Sequence, residues 1–451
     1  MVQQRAGITA ETPVQFQVSL PAETDVVVIG GGVIGVMTAW FLRERGQRVV
    51  LCEKGRVAGE QSSRNWGWVR QQGRDWAELP IMMEANRIWQ GLKEEAGEDL
   101  GFRQTGVLYI ATKPRDMARY EKWMELARQH QLDTRILTAA EVRAKFPEMK
   151  GDCLGGLWTA SDARAEPWVA VPSLAREAAR RGVVIAEDCA VRCLDIAAGR
   201  VAGVVTEKGR IRCDRVVLAG GAWSSLFLRN HGASIPQLSV RASVCATEPL
   251  PDVFAGNGVR GQVAWRRRAD GGYSLAPGWF HDVFVGPDSF RHLRVFMPQM
   301  KDELSGKSRF LPRAPAGYPD AWGTPRKWSG EEQSPFERMR VLDPAPNMKK
   351  LDQIRAGFQA LFPAAGEVRL ARAWAGMIDA MPDEVPIVDH VPGIPGLTLA
   401  TGMSGHGFGI GPGMGRVVAD MVMGRDPGHD MRRFHYTRFT DGTPFERGPQ
   451  L

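Results

Sequence analysis

Short continuous apolar runs at Asp25–Ile29 and Arg48–Cys52 flank a stretch of helical periodicity from Val36 to Arg45. Runs of four or five apolar residues predict buried parallel strands, and the stretch between them predicts a helix, so residues 25–58 predict a βαβ unit. Further along, helical spacing predicts helices over Pro80–Glu95, with Ile81, Ala85, Ile88 and Leu92 on one face, then Arg115–His130, Pro167–Arg181 and Lys349–Phe362. Strands are predicted at Gly106–Ala111, Val183–Leu194, Val201–Thr206 and Ile211–Leu218. Thr138-Ala139-Ala140-Glu141 has the form of a capping box. A last strand at Leu397–Ala400 runs into a predicted glycine-rich loop, Thr401–Gly413, and a helix over Met414–Met423.

The turn inside the first βαβ unit is Gly30-Gly31-Gly32-Val33-Ile34-Gly35. Gly30 permits a tight turn, Gly32 a close approach to a pyrophosphate, and Gly35 close packing of helix on strand. The helix start then directs free N–H groups at the phosphates. Glu53 lies 18 residues beyond Gly35, at the end of the second strand, where an acid reaches a ribose hydroxyl. Glycine turn, helix, second strand and acid in register predict a dinucleotide site; the alternative is a glycine-rich turn in some other α/β protein.

Composition narrows the class. The chain has 451 residues, suited to two domains rather than one core. Its 43% hydrophobic and 24% charged residues are globular, and its net charge of +7 is scattered, with no basic stripe for nucleic acid. The run Arg266-Arg267-Arg268, beside an Asp-Gly-Gly turn, reads as a solvated hairpin end. Six cysteines show no metal-type CxxC pair, so no metal site is expected and a reducing compartment fits. The first 20 or so residues read as a polar extension without signal-peptide character. The apolar run Val26–Leu42 carries four glycines in a nucleotide-binding pattern and is not read as a membrane span.

Three blocks coincide: the glycine motif, Val216-Val217-Leu218-Ala219-Gly220-Gly221-Ala222-Trp223, and Ser404-Gly405-His406-Gly407-Phe408-Gly409. Together they resemble the FAD-dependent D-amino-acid oxidase superfamily, which includes glycine oxidase, D-amino-acid dehydrogenases and sarcosine oxidases. The resemblance covers about residues 25–425; residues 290–350 match no pattern. It implies FAD, and an α/β fold in which a discontinuous Rossmann-like FAD-binding domain (25–95, 150–235 and 365–430) carries a mixed or antiparallel substrate domain (96–149 and 236–364). Residues 1–24 form an extension and 431–451 a tail packed on the FAD domain.

By that resemblance Gly30, Gly32, Val33, Ile34 and Gly35 serve the diphosphate, Glu53 the ribose with Lys54 beside it, and Ser62 and Ser63 lie along the diphosphate. Arg64, Asn65, Trp66 and Gly67 run toward the flavin ring. Val191 meets the adenine, Gly220 and Trp223 approach from the middle strand, and Gly402, Ser404, Gly405, His406, Gly407 and Phe408 pass by the isoalloxazine. Some sarcosine-oxidase relatives attach FAD through a cysteine just before Pro-Asp-Glu; Trp374–Glu384 has none, so noncovalent FAD is expected. Those relatives also carry a lysine where this chain has Gly409, which points toward a dehydrogenase rather than an oxidase.

The implied reaction passes a hydride from the carbon bearing an amine to flavin N5, giving an imine that hydrolyses. Candidate substrates are D-amino acids, glycine-like or N-alkyl amino acids, with oxygen or a quinone as acceptor. Arg70 is the candidate carboxylate binder, because its planar fork suits bidentate contact; the alternative is a surface salt bridge. Tyr273 is a candidate substrate hydrogen-bond donor, or a core tyrosine. Trp66, Trp68 and Trp374 form either an apolar cage or core. His406 either contacts the flavin or is structural. Two other functions stay open: a 2-hydroxy-acid or polyol-phosphate dehydrogenase on the same fold, and an FAD-binding subunit of a heteromeric dehydrogenase. A cytoplasmic location is expected, with loose association at the inner membrane surface open if a quinone is the acceptor.

Overall fold

The computed structural model describes residues 2, 7–302 and 308–447; the end of the predicted tail, 448–451, lies outside them. The strand Val26–Ile29 sits in the middle of a six-stranded sheet, between Arg215–Leu218 and Val49–Cys52, all parallel. Leu397–Thr401 and Val184–Ala186 extend it in parallel, and Ile387–His390 closes one edge antiparallel. Every residue of the Val49–Cys52 strand is buried, as a strand covered on both faces requires. The helix Val33–Glu44 crosses between the first two strands.

A second, mixed sheet of ten strands, counted among the described residues, runs from Val107–Ala111 to Leu370–Ala380. Its longest pairing joins Leu238–Thr247 to Leu370–Ala380 in antiparallel register, Ser239 opposite Asp379 and Val244 opposite Trp374. The helix Met348–Leu361 packs Leu351, Ile354 and Phe358 on this sheet. Two strands depart from the expected boundaries: Gly155–Thr159 and Leu370–Ala380 pair within the larger sheet, not the nucleotide-binding one. Side-chain alternation marks a strand but not which sheet it joins.

The capping box forms, with Thr138 Oγ1 accepting from Glu141 N–H and the Glu141 carboxylate accepting from Thr138 N–H. The run predicted as Val183–Leu194 splits into Val184–Ala186 and Val191–Ala197, and Ile211–Leu218 into Gly209–Arg212 and Arg215–Leu218, one strand of each pair in each of two sheets. The polar extension, over its described residues 7–24, packs on the body of the protein. Phe16 and Leu20 pack on the core, and Gln15 N–H donates to Glu187. In the tail, Phe434 is fully buried and Arg438 makes a bidentate pair with Asp383.

The glycine-dense loop is the largest difference in local structure. The helix begins at Gly407, not Met414, and runs to Val422. Its glycines are contacts rather than turns: a Cβ on Gly411 would lie 2.6 Å from Val33, one on Gly413 2.6 Å from the Ile81 carbonyl, and one on Gly415 2.5 Å from Met37. Close tertiary packing here outweighs the low helix propensity of glycine.

Arg266-Arg267-Arg268 is not a solvated end. Arg266 is fully buried and grips Glu166 bidentately at 2.9 and 3.0 Å, and Arg268 is buried against the Thr247 and Tyr273 carbonyls. Nothing in the local sequence names Glu166, 100 residues away, as the partner.

Candidate functional site

A cleft of about 1210 Å³, open to solvent, follows the carboxyl ends of the parallel strands. Two helix N-termini face it. Gly30, Gly32, Val33 and Ile34 line it at the start of the 33–44 helix, and Gly405, Gly407 and Phe408 at the start of the 407–422 helix. Helix starts present unpaired N–H groups and positive dipole ends, which suit phosphates and developing negative charge.

The first turn leaves no space for side chains. Gly30 adopts φ +111° and its Cβ would stand 2.4 Å from the Ala219 carbonyl; a Cβ on Gly35 would stand 2.0 Å from the Gly30 carbonyl. Gly35 therefore supports the turn from beneath rather than lining the cleft. Ser62 Oγ accepts from Val33 N–H at 2.9 Å. Glu53 lines the cleft and accepts from Gly31 N–H at 2.7 Å and Gly55 N–H at 2.8 Å. Burial raises its carboxyl to about 7, against the lowering effect of Lys54 and those two N–H groups.

Lys54, Asn65, Val191, Gly220 and Trp223 also line the cleft. Lys54 Nζ is held by Glu60 at 2.6 Å and by the Met339 and Arg340 carbonyls, and lies 4.5 Å from the Trp223 ring centre. Ser62 lines it too, but Ser63, Arg64, Trp66 and Gly67 do not. Ser63 is buried, and so is Arg64, which is tied to Gly59, Asp343 and Ala375 as an internal clamp. Gly67 packs against the Ala165 carbonyl, and Trp66 against Trp68. Trp374 is buried, donating to the Arg64 carbonyl.

Gly402 and Ser404 shape the second loop from behind, at φ +76° and +48°. Asp379, which the sequence reading missed, braces that loop: it lines the cleft and accepts from Gly402 N–H at 2.7 Å and Met403 N–H at 3.1 Å. Glu60, Met377 and Phe336 also line the cleft unforeseen. Met377 and Phe336 arrive from the far sheet and from a long connection, while Glu60 lies two residues before Ser62 in the same segment.

Tyr273 is corrected outright as a substrate donor. It is fully buried beside Phe358, and its hydroxyl accepts from Val253 and Phe254 N–H. Arg70 is half-buried, donates to the Gln72 carbonyl and lies 5.7 Å from the Tyr109 ring centre; it pairs with no carboxylate among the described residues. Its backbone abuts Gly409, whose Cβ would lie 3.2 Å from Val69 Cα and 3.5 Å from Arg70 N. A lysine at 409 would meet that backbone. Neither Arg70 nor His406 lines the cleft itself; His406 stands between Gly405 and Gly407, which do, at the tip of the 407–422 helix, with its Nδ1 3.2 Å from Glu78.

The cleft fits FAD on this geometry: a cradle closed to Cβ atoms at Gly30 and Gly35, an acid at the second strand end, and a second helix tip opposite. Among the described residues, no three metal-ligating side chains gather, and no helix is long and apolar enough to cross a membrane.

Comparisons agree. Residues 25–421 match the model of the family described as FAD dependent oxidoreductase. L-Amino acid deaminase from Proteus myxofaciens, solved in complex with anthranilate, superposes with a TM-score of 0.90 at 31% identity, covering 98% of this chain and 100% of that one. Human mitochondrial sarcosine dehydrogenase is 26% identical over 96% of this chain, but the chain spans only 45% of that protein's length. Glycine oxidase from Pseudomonas aeruginosa is 25% identical over 89% of this chain and 95% of its own length. With a match spanning most of its length and a cleft built for the cofactor, the chain belongs to the FAD dependent oxidoreductase (DAO) family and is an FAD flavoenzyme.

Proposed function

We propose that this chain oxidises the C–N bond of an α-amino acid with noncovalently held FAD, L-amino acids being the leading substrate class. Beside the D-, glycine-like and N-alkyl amino acids expected from the sequence, the 31% identity to L-amino acid deaminase adds the L-series and puts it first. The observation that carries the reading is Arg70, a half-buried guanidinium that makes no direct ion pair among the described residues and whose backbone abuts the first turn of the 407–422 helix. A half-buried arginine without a direct ion pair suits a substrate carboxylate.

When bound, FAD supplies the two-electron acceptor. The chain's part is to hold and orient. Gly30 and Gly32 admit the diphosphate to the N–H groups of the 33–44 helix, Glu53 accepts from the ribose, and Val191 borders the adenosine end. Gly405, Gly407 and Phe408 aim the second helix tip at the flavin, whose charge on reduction that dipole favours. Arg70 orients the substrate carboxylate. The crowding at Gly409 supports an electron acceptor other than oxygen.

The reading is tested by turnover with an artificial acceptor over L-, D- and N-methyl amino acids and 2-hydroxy acids. Amino-acid turnover with release of ammonia or methylamine is expected. Turnover of hydroxy acids alone, or none by the single chain, overturns it. Peroxide formed stoichiometrically in air would overturn the non-oxygen acceptor.

Arg70→Ala is expected to keep FAD and lose about 2 kcal/mol or more of transition-state binding, roughly 30-fold in kcat/KM. Unchanged kinetics with a carboxylate substrate removes Arg70 from the site.

Glu53 gives a pH prediction. Its carboxyl is raised to about 7 in the FAD-free protein. The protonated form is therefore favoured by folding, and that contribution is complete below the unfolded value and lost as pH rises through 7. The carboxylate is the stronger acceptor for a ribose hydroxyl, so FAD affinity should strengthen as pH rises through 7. Glu53→Gln should weaken FAD binding and flatten this dependence; a pH-dependent Kd that persists in the variant contradicts the assignment.

A further inference from the structure

One buried acid has no part in the cradle. Glu78 opens the Glu78–Ala96 helix and is fully buried. Its carboxylate oxygens stand 3.2 and 3.4 Å from Nδ1 of His406, at the tip of the helix that faces the flavin end of the cleft. An ionised carboxylate only accepts, so with a neutral imidazole the shared proton sits on Nδ1 and Nε2 keeps its lone pair. Two arginines border the pair. Arg74 is buried, donates from Nε to the Arg70 carbonyl, and has Nη1 without a partner; Arg70 lies four residues before it.

Burial first, then Arg74 and Arg70, push the His406 imidazole down to about 4, against the pull of Glu78. Burial pushes Glu78 the other way, but His406, Arg74 and Arg70 outweigh it and hold the carboxyl below its ordinary range. The resting pair is thus a carboxylate and a neutral imidazole.

We propose that Glu78 is a positioning residue that fixes His406 as its Nδ1–H form, so that Nε2 takes the proton from the substrate's ammonium group. This rests on the amino-acid reading above. In the step an ammonium N–H bond breaks and an Nε2–H bond forms, giving neutral amine and imidazolium; no electrons move. Oxidation at the α-carbon needs that neutral amine. A substrate carboxylate beside Arg70 cancels part of the positive field that disfavours imidazolium, so the substrate raises the basicity of the group that deprotonates it. The charged groups acting on His406 are Glu78 from its helix and Arg70 and Arg74 from the segment before that helix.

The test is nitrogen NMR of histidine-labelled holoenzyme with oxidised FAD, His406 being assigned by loss of its signals in His406→Gln. Anthranilate, which has no α-hydrogen to lose, serves as the unreactive carboxylate probe. A neutral Nδ1–H imidazole at pH 7 is expected, with a titration midpoint that rises when anthranilate binds. An Nε2–H form, or a midpoint unmoved in protein whose flavin spectrum shows anthranilate bound, overturns the proposal. No binding of anthranilate or of any amino acid instead overturns the substrate reading on which the proposal stands. Glu78→Gln should lower kcat/KM about 10²-fold, the low end of general acid–base contributions, and mix the tautomers, while Glu78→Asp restores most of both. Equal loss in both variants with the Nδ1–H form intact overturns the positioning role. If Glu78→Gln does not fold, the wild-type titration decides alone.

Discussion

Gly35→Ala is expected to purify colourless and to take up no FAD. The added Cβ would sit 2.0 Å from the Gly30 carbonyl and 3.1 Å from its carbon, both backbone atoms that belong to the phosphate turn. No rotamer relieves such a clash, so the helix must lift from the strand or the turn must open. Overpacking of this kind costs about 1–3 kcal/mol of stability. The larger effect falls on FAD, because both Gly30 and the start of the 33–44 helix move with the turn. A loss of affinity of at least a hundredfold, about 2.7 kcal/mol, is expected. Gly323→Ala is the control, since a Cβ there meets nothing within 4 Å. Titration of each apoprotein with FAD checks this; wild-type affinity in Gly35→Ala would refute the turn's role.

Glu166→Ala is expected to produce the largest loss of stability. Glu166 is buried and is the bidentate partner of Arg266, which is itself fully buried, and it also accepts from Ala269 N–H at 2.8 Å. Arg164 stands 3.8 Å from the same carboxylate. Removing the acid leaves buried guanidinium charge without a counter-ion, which costs about 3–5 kcal/mol. The pair joins the Val263–Arg267 strand of the larger sheet to the start of the Pro167–Arg180 helix, which packs beneath the nucleotide-binding sheet. Loss of the acid should therefore loosen one sheet against the other. Glu166→Leu combined with Arg266→Met should recover most of the loss, because it removes both charges at similar volume. Denaturant midpoints of the two variants check this; a single variant within 1 kcal/mol of wild type contradicts it.

What the sequence disclosed depended on how far apart the interacting residues lie along the chain. The strand, glycine turn and helix at 26–44 are local, and so is the Thr138 capping box, and both form where their spacing places them. Glu53 likewise stands at its strand end facing the cleft. The helix from Gly407 was hidden because its glycines look like a loop until Val33, Ile81 and Met37 are seen pressed against them. Tyr273 stayed open between substrate ligand and core because alternation in its strand does not reveal that Phe358 packs on it. Arg266 looked exposed because Glu166 is distant in sequence. Glu78 carried no signal at all: its partner His406 is 328 residues away. Asp379 braces residues only 23 to 24 positions on, but across a change of sheet.

The most direct measurement is acid precipitation of the purified yellow protein, followed by spectroscopy of the supernatant and pellet. The account predicts one FAD per chain released in full into the supernatant, since no cysteine lies in the Trp374–Glu384 stretch. A protein that is colourless and binds no added FAD, or flavin that stays with the pellet, would contradict it.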